Sequence, residues 1–261
     1  MNILVFDIET IPDIENCKKI YNLQDFPGTQ VELVEKIRDI RKEQTNGSDF
    51  MRHHLHQIIA ISVVLQTKDK IKVFSVGEEN STEKEIIQRF FDGIEKYSPI
   101  LVSWNGTGFD LPVLHYRMLY HGICAPKYWE IGDEDSSFKW NNYLNRYHYR
   151  HTDLMDVLSC YQSRSAASLD DVSIMLNLPG KFGMDGSKVW EAYSSSKIRE
   201  IREYCETDVL NTYLIYLRFE LIRGKLSESE YIHKIEQVKI FLNDATHHQH
   251  HFKEFLKLWK N

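Results

Sequence analysis

Acidic residues in three widely separated stretches of the chain have side chains suited to binding divalent metal ions. Asp7 and Glu9 lie two residues apart in FDIET, Asp110 ends NGTGFD, and Asp208 ends YCETD. Carboxylate oxygens are the ligands that Mg²⁺ and Mn²⁺ prefer in proteins. Four carboxylates brought together repel one another unless cations lie between them. The pattern therefore indicates a metal site that the fold has to assemble from distant parts of the chain.

The first two acids are positioned by a predicted strand. Residues 2–6 are apolar and rich in strand formers, and Asp7 and Glu9 follow them directly. Because side chains alternate along a strand, both carboxylates should point to one face while Ile8 turns into the core. Two acids on one face at a strand end make a poor packing surface and a good metal platform. Taken alone, the pair also fits two solvated charges that end the strand.

The last acid shares a helix face with a tyrosine. Residues 198–221 form the longest convincing helical pattern in the chain, and Tyr204 precedes Asp208 by four residues within it. Residues at that spacing lie one above the other on the same side of a helix. Glu206 falls on another face, and we interpret it as a solvated helix charge.

Asp110 has a structural interpretation beside the chemical one. It follows a loop that contains Gly106 and Gly108, and Pro112 falls in the first turn of the helix predicted over 111–120. This position is near the N-cap, where a carboxylate accepts hydrogen bonds from free backbone N–H groups. The sequence is compatible with both roles.

The remaining elements predict an α/β fold with a mixed central sheet flanked by helices. Further strands are expected over 57–65, 70–76 and 100–104, and most of the later chain has helical periodicity. Residues 11–56 are expected to be an insertion between the first two strands. We assign residues 1–222 to one domain and residues 223–261 to a helical C-terminal extension.

The composition is that of a folded protein with a substantial core. The chain has 261 residues, of which 42% are hydrophobic. No apolar run reaches the roughly 18 residues that a membrane span needs, so no membrane segment is expected. The N-terminus lacks a basic region and a small-residue cleavage site, so no signal peptide is expected. The four cysteines have no paired spacing, which predicts small buried thiols in a reducing cytoplasm.

The net charge of −6 argues against a general DNA-coating role, because proteins of that kind are usually basic. It is compatible with a metal-dependent nuclease, whose carboxylates lower the formal charge and are offset by bound cations.

Together, the three acidic motifs resemble those of the DEDD superfamily of 3'→5' exonucleases in order and spacing. Tyr204, four residues before Asp208, places the resemblance in the tyrosine branch of that superfamily. Longer stretches look like the stand-alone bacterial exonucleases related to the exonuclease domain of family B DNA polymerases. These stretches are HTDLMD (151–156), SLDDV (168–172), PGKFGMDGSKVW (179–190) and YCETDVLNTYLIYLR (204–218). The residues that follow leave no room for a polymerase domain in this chain.

The resemblance implies a ribonuclease-H-like exonuclease fold and a two-metal mechanism. Asp7, Glu9, Asp110 and Asp208 would hold two Mg²⁺ or Mn²⁺ ions, with Asp7 bridging both ions and Asp110 acting through water. Tyr204 would orient the attacking water, because its ordinary pKa of about 10 makes it a poor base at neutral pH. The product would be a nucleoside 5'-monophosphate released from a 3' end.

The same resemblance implies substrate contacts next to the acids. Thr10 would lie beside the terminal 3' hydroxyl, Asn105 would contact the nucleic-acid backbone, and Phe109 would contact the substrate. These three residues belong to the same motifs as the acids.

Residues 138–151 suggest a surface for the strand itself. The segment has no acidic residue, and it combines aromatic side chains with cations such as Lys139 and Arg146. Aromatic faces that stack bases, beside cations that contact phosphates, are what single-strand binding requires. The alternative is that the aromatic side chains Trp140, Tyr143 and Tyr147 pack in the core or a lid.

A glycine-containing segment, 180–188, carries Lys181 and Lys188. It lacks the ending of a nucleotide-binding P-loop. A loop of this kind can bring a lysine to a phosphate, or it can simply connect two helices.

The leading hypothesis is a metal-dependent 3'→5' exonuclease that acts on single-stranded DNA ends. An exoribonuclease is the first alternative, because nothing in the sequence reads the 2'-hydroxyl. An inactive nucleic-acid-binding module is the second alternative. The intact set of acids argues against it, because clustered acids next to an anionic ligand serve no purpose in a binder. No protein partner is predicted.

Overall fold

A computed structural model of the protein describes residues 2–68, 70–245 and 249–259, and a mixed five-stranded sheet lies at its centre. The strands are β1 (Ile3–Pro12), β2 (His56–Gln66), β3 (Ile71–Ser75), β4 (Ile100–Ser103) and β5 (His151–Asp153). Their order across the sheet is β3-β2-β1-β4-β5. Strand β1 runs antiparallel to β2 and parallel to β4, and β4 runs parallel to β5. The predicted α/β fold with a mixed sheet is confirmed, and β5 is a strand that the prediction lacked.

Eleven α-helices lie within the described residues and cover the two faces of the sheet. They are α1 (Ile14–Ile20), α2 (Gln30–Thr45), α3 (Glu83–Tyr97), α4 (Asp110–His121), α5 (Pro126–Trp129), α6 (Leu154–Leu158), α7 (Leu169–Met175), α8 (Val189–Ser194), α9 (Ile198–Ile222), α10 (Glu228–Ala245) and α11 (His250–Leu258). None of the helices in this part of the chain is both long and apolar enough to cross a membrane.

Strand β1 separates two hydrophobic cores, because its side chains alternate between the faces of the sheet. Phe6 and Ile8 belong to the core that packs against α3 and α4. Val5 belongs to the opposite core, which contains residues of α9, α10 and α11. Asp7 and Glu9 continue the Val5 side of the strand, which therefore directs both carboxylates toward α9.

Helix α9 lies between the sheet and the two C-terminal helices, and residues 204–217 are all buried as a result. Val209 and Leu210 of α9 share one hydrophobic cluster with Val238 of α10 and Phe252 of α11. Contacts on both sides fix the helix that carries Tyr204 and Asp208.

The interpretation of Glu206 as a solvated charge is wrong. Its side chain is buried, and one carboxylate oxygen accepts hydrogen bonds from the backbone N–H and hydroxyl of Ser75, at 2.8 and 2.7 Å. The other carboxylate oxygen lies 2.8 Å from Nε2 of His251 in α11. These partners make the burial tolerable, because a buried charge needs hydrogen bonds to replace water. The expectation of four buried cysteines is also wrong, since Cys124 and Cys160 are exposed.

The segment between β1 and β2 folds into a small subdomain held to the sheet by a buried ion-pair cluster. Its helices α1 and α2 enclose an apolar cluster of their own. At the start of this segment, Asp13 accepts a hydrogen bond from the guanidinium of Arg117 in α4. The same guanidinium donates twice to Glu83, the first residue of α3. Arg117 is only 3% exposed, so both acids depend on it for charge balance.

Replacing Arg117 by methionine should destabilise the fold by about 3–5 kcal/mol, because two buried carboxylates lose their counterion. Urea unfolding of Arg117→Met and of a matched surface variant, Arg199→Met, measures the difference. Arg199 is 74% exposed and lies 3.7 Å from Glu79, so its loss should cost less than about 1 kcal/mol. Equal destabilisation by the two variants would contradict the role given to Arg117.

Candidate active site

Asp7 and Glu9 of β1 meet Cys205 of α9 at the end of the central strand. One carboxylate oxygen from each acid and the sulfur of Cys205 lie within 4.8 Å of one another. The thiol of Cys205 lies 3.5 Å from both the carbonyl oxygen and a carboxylate oxygen of Asp7. The structure therefore places the two strand acids on one face, as predicted.

Asp110 joins the two strand acids from the other side of the sheet. It is the first residue of α4, and its side chain caps no backbone N–H of that helix. One carboxylate oxygen accepts the backbone N–H of Ile8 at 3.1 Å instead. Strand β4 pairs with β1 only as far as Val5, so Asp110 satisfies a donor beyond the end of β4. The N-cap alternative for Asp110 is wrong, and its carboxylate lies next to Asp7 and Glu9.

Asp208 and Tyr204 complete the group from α9, together with a lysine. Nζ of Lys181 donates to the hydroxyl of Tyr204 at 2.8 Å and lies 3.6 Å from a carboxylate oxygen of Asp208. The spacing of four residues on α9 puts both side chains on the side that faces β1.

The loop that carries Lys181 is pinned where it begins. The backbone N–H of Lys181 donates to Asp170 of α7 at 2.7 Å. Gly180 exchanges hydrogen bonds with the side chain of Asn211 in α9, and it has a positive φ of 68°. A β-carbon at Gly180 would lie 2.6 Å from the Asp170 carboxylate, so glycine is required there. These contacts aim Lys181 at the acids.

Burial and mutual repulsion disfavour the charged forms of the acids. Burial raises the pKa of Asp7 well above its usual range, and repulsion from Asp110, Glu9 and Asp208 raises it further. Burial and the charge of Asp208 raise the pKa of Glu9 in the same way. Burial raises the pKa of Asp110 to about 7 and that of Asp208 to about 6, although Lys181 opposes the shift at Asp208.

The neighbouring groups keep their protons. Burial, followed by repulsion from Asp208 and Glu9, raises the pKa of Tyr204, so its phenol stays neutral. Burial opposes the charged form of Lys181, but the adjacent carboxylates outweigh it and the pKa of Lys181 is raised. Burial and the charge of Asp7 raise the pKa of the Cys205 thiol, which therefore remains protonated.

The four carboxylates fit a site for hard divalent cations. Oδ1 of Asp208 is buried and has no hydrogen-bond partner among the residues that the structure describes. An unpartnered carboxylate oxygen is expected where a cation belongs. Lys181 supplies a single positive charge to a group of four acids. The neutral, soft thiol of Cys205 is a poor ligand for Mg²⁺ or Mn²⁺, so the oxygen donors define the site.

Thr10 lies at the edge of the acid group and is held by His56 of β2. Burial lowers the pKa of His56 to about 4, so the ring is neutral. Its Nε2 faces the carbonyl oxygen of Met51 at 3.3 Å and therefore carries the proton. Nδ1 then accepts from the hydroxyl of Thr10 at 2.8 Å. The lone pairs of the Thr10 hydroxyl remain available to accept a further hydrogen bond.

Asn105 and Phe109 belong to the tight loop that leads into Asp110. Asn105 has a positive φ of 62°, and its carbonyl accepts the backbone N–H groups of Gly108 and Phe109. A β-carbon at Gly108 would lie 2.3 Å from the amide oxygen of Asn105. Asp153 holds the loop by accepting the backbone N–H of Asn105 at 2.9 Å.

The basic residues predicted to bind the strand have other partners in the structure. Arg146 pairs with Asp156 at 2.8 Å, Lys139 lies over the ring of Trp140, and Lys188 pairs with Asp185 at 3.4 Å. Among the aromatic residues of 138–151, Tyr143 is buried, whereas Trp140 and Tyr147 are 80% and 65% exposed. Both interpretations of the segment are therefore correct for part of it.

Sequence reasoning missed two contributors to the site. Cys205 was interpreted only as a small buried residue, although it lies one residue after Tyr204. Asp153 was predicted to cap a helix, which it does by accepting the backbone N–H of Asp156. It also holds the loop before Asp110 through Asn105 and Thr107. The signal for Asp153 was its place directly after β5, a strand that was not predicted.

A mixed sheet in this order, with four carboxylates at the end of its central strand, defines an α/β protein of the ribonuclease-H-like class with a candidate metal centre. The chain belongs to the family described as predicted 3'-5' exonuclease related to the exonuclease domain of PolB, whose model matches residues 48–259. The matched region contains Asp110, Tyr204 and Asp208, while Asp7 and Glu9 precede it. The resemblance seen in the motifs is thereby confirmed.

Similar proteins include two DNA polymerases. The chain is 25% identical over 154 residues to the catalytic polypeptide of DNA polymerase epsilon from Saccharomyces cerevisiae, covering 56% of this chain and 6% of that protein. It is 46% identical over 44 residues to DNA polymerase 1 of Sulfurisphaera ohwakuensis, covering 17% of this chain and 5% of that protein. The chain thus spans a small part of the length of these relatives.

In EDTA, the melting temperature should fall between pH 6.5 and pH 8. The folded protein keeps protons on Asp7, Glu9 and Asp110 that the unfolded chain releases near pH 4. Stability from a raised carboxyl pKa is complete below the unfolded value and declines as pH rises through the folded value. The buried histidines with lowered pKa values titrate below this window; they are His56, His115 and His151.

Scanning calorimetry with EDTA, and then with Mg²⁺ or Mn²⁺, measures the effect. The metal should raise the melting temperature at pH 8 and flatten the decline. Asp110→Asn keeps an acceptor for Ile8 but cannot ionise, so it should show a smaller decline in EDTA. A metal-free protein whose stability rises over this range would contradict the assignment.

Proposed function

We propose that this protein is a metal-dependent 3'→5' exonuclease that releases nucleoside 5'-monophosphates from the 3' ends of single-stranded DNA. The observation that supports the proposal most is the convergence of acids from three elements. Asp7 and Glu9 come from β1, Asp110 from α4 and Asp208 from α9, with Tyr204 beside them. The family to which the chain belongs is described in the same terms.

The four carboxylates would hold two Mg²⁺ or Mn²⁺ ions, which would supply Lewis acidity to the attacking water and to the leaving 3' oxygen. The side chains around them have separate tasks. Tyr204 keeps its phenolic proton, so it orients the water through hydrogen bonds and does not act as the base. Thr10 has a free acceptor for the terminal 3' hydroxyl, because its own proton is committed to His56.

Lys181 is the cation placed to contact the scissile phosphate. In the structure it lies between the hydroxyl of Tyr204 and Asp208, and its raised pKa keeps it charged. When cations neutralise the acids, its ammonium group is free to turn to an incoming phosphate oxygen. Asn105, on the loop before Asp110, is placed to contact the backbone of the strand.

DNA is favoured over RNA as the substrate, because both relatives described above are named DNA polymerases. An exoribonuclease with the same site remains the second candidate, since the described side chains around Thr10 accept a 3' hydroxyl without reading a 2' hydroxyl. We assign the catalytic role to residues 1–222 and a supporting role to the helices of 223–261.

Incubation with Mg²⁺ or Mn²⁺ should shorten 5'-labelled single strands from the 3' end, and EDTA should stop the reaction. Asp7→Asn should lower kcat by at least roughly 100-fold, because charge stabilisation in the transition state is lost. Tyr204→Phe should lower kcat more than it raises KM. Gel analysis on matched single-stranded DNA, duplex DNA and RNA provides the measurement.

Two outcomes of this assay would be decisive. If neither DNA nor RNA is shortened with either metal, the protein is not an exonuclease. If Tyr204→Phe changes KM alone, Tyr204 binds substrate and does not orient the water.

The two lysines of the glycine-containing loop provide a matched pair of variants. Lys181→Met should lower kcat by about tenfold or more, because a charged contact to the phosphate is lost. Lys188→Met should keep kcat close to that of the wild type, since Lys188 pairs with Asp185 on the exposed part of the loop. Steady-state kinetics of the two variants side by side is the measurement, and equal losses would show that the loop acts as a whole.

A further inference from the structure

An aromatic cluster lies beside the acid group, and two of its members come from the segment between β1 and β2. The cluster consists of Phe50, His53, His56 and Phe109. The ring of Phe109 contacts the other three, with centroid separations of 5.7 Å to Phe50, 6.0 Å to His53 and 5.2 Å to His56. Phe50 in turn contacts His53 and His56.

The cluster is joined directly to both halves of the metal site. Phe109 immediately precedes Asp110, whose carboxylate reaches Ile8 of β1. Thr10 immediately follows Glu9, and its hydroxyl donates to His56 of the cluster. A strand end seated against the acids therefore has its last nucleotide next to these rings.

Phe50 is fixed by its backbone and exposed at its ring. Its carbonyl accepts from Nε of Arg41 in α2 at 3.1 Å, and its N–H donates to the hydroxyl of Ser48. The side chain is nevertheless 53% exposed. His53 is fixed as well, since its Nε2 lies 2.9 Å from the carbonyl oxygen of Gly108 in the loop before Asp110. A large apolar ring held half in solvent is available for a flat ligand.

We propose that Phe50 and His53 form a stacking surface for the base of the 3'-terminal nucleotide, so that the segment between β1 and β2 is part of the substrate-binding site. The inference rests on the proposed exonuclease function. Every base has a π-face, so stacking on Phe50 holds any terminal nucleotide without reading its identity. The uncharged surface also suits its position, because a base adds no negative charge next to the acids.

A purely structural role for Phe50 predicts a different outcome from a stacking role. If the ring only closes the segment onto Phe109, its loss weakens all substrates alike. If the ring stacks on the terminal base, its loss matters only when that base is present. An oligonucleotide with an abasic 3'-terminal residue separates the two roles.

Fluorescence anisotropy in an Asp7→Asn background measures binding of 5'-labelled single strands without cleavage. Phe50→Leu keeps the apolar contact and removes the aromatic face. It should weaken binding of the normal strand by roughly 5- to 150-fold, the range measured for base–aromatic stacking, and leave the abasic-ended strand unchanged. Phe50→Tyr keeps the ring and should bind like the parent. Phe74→Leu, an exposed phenylalanine of β3 at the far edge of the sheet, is the matched control.

Equal weakening for both strands, or no weakening for the normal strand, would overturn the proposal. Because the assay needs no turnover, its result is independent of the nuclease test. If the wild type digests nucleic acid while Phe50→Leu binds normally, the function stands and the stacking surface is wrong. If the wild type digests nothing but the base-dependent loss appears, the surface stands and the protein is a binder of strand ends.

Discussion

Mutual repulsion among four carboxylates at the end of β1 is the interaction on which the arrangement of the site depends. Asp7, Glu9, Asp110 and Asp208 are gathered where burial disfavours their charged forms, and each raises the electrostatic cost of its neighbours. Lys181 relieves part of that cost by lying beside Asp208. One ammonium group cannot balance four acids, so the site is left short of positive charge until divalent cations bind. The same imbalance that strains the metal-free protein is what gives the metal its affinity.

Like charges stay together only if the elements that carry them are fixed by contacts elsewhere. Strand β1 is held on both edges by β2 and β4, and its two faces are buried in separate cores. Helix α9 is packed against the sheet on one side and against α10 and α11 on the other. Glu206 adds a polar tie, since it bonds to Ser75 of β3 and His251 of α11 at once. The C-terminal helices therefore help to hold Asp208 in place, although they contribute no acid to the site.

Hydrophobic periodicity predicted the elements whose pattern is long, including β1, α9 and the shared face of the first two acids. It did not predict β5, because three residues are too few to show alternation. Glu206 was misinterpreted because its partners Ser75 and His251 lie 131 and 45 residues away, and no local pattern marks such burial. Lys181 and Lys188 look alike in sequence. Only the hydrogen bonds that fix the start of their loop direct the first of them into the site.

The overall charge of −6 raises the question of how such a chain attracts a polyanion. In the proposed arrangement, positive charge is concentrated at the acid group, as Lys181 and the bound cations, and is not spread over a basic surface. Attraction then acts mainly on the phosphate at the site, and a strand interior gains little from it. Uncharged contacts have to supply the remaining affinity, and aromatic rings beside Phe109 are suited to do so. Selection of an end over an internal position follows from this division, because only a terminal nucleotide places its phosphate at the metals and its base on the rings together.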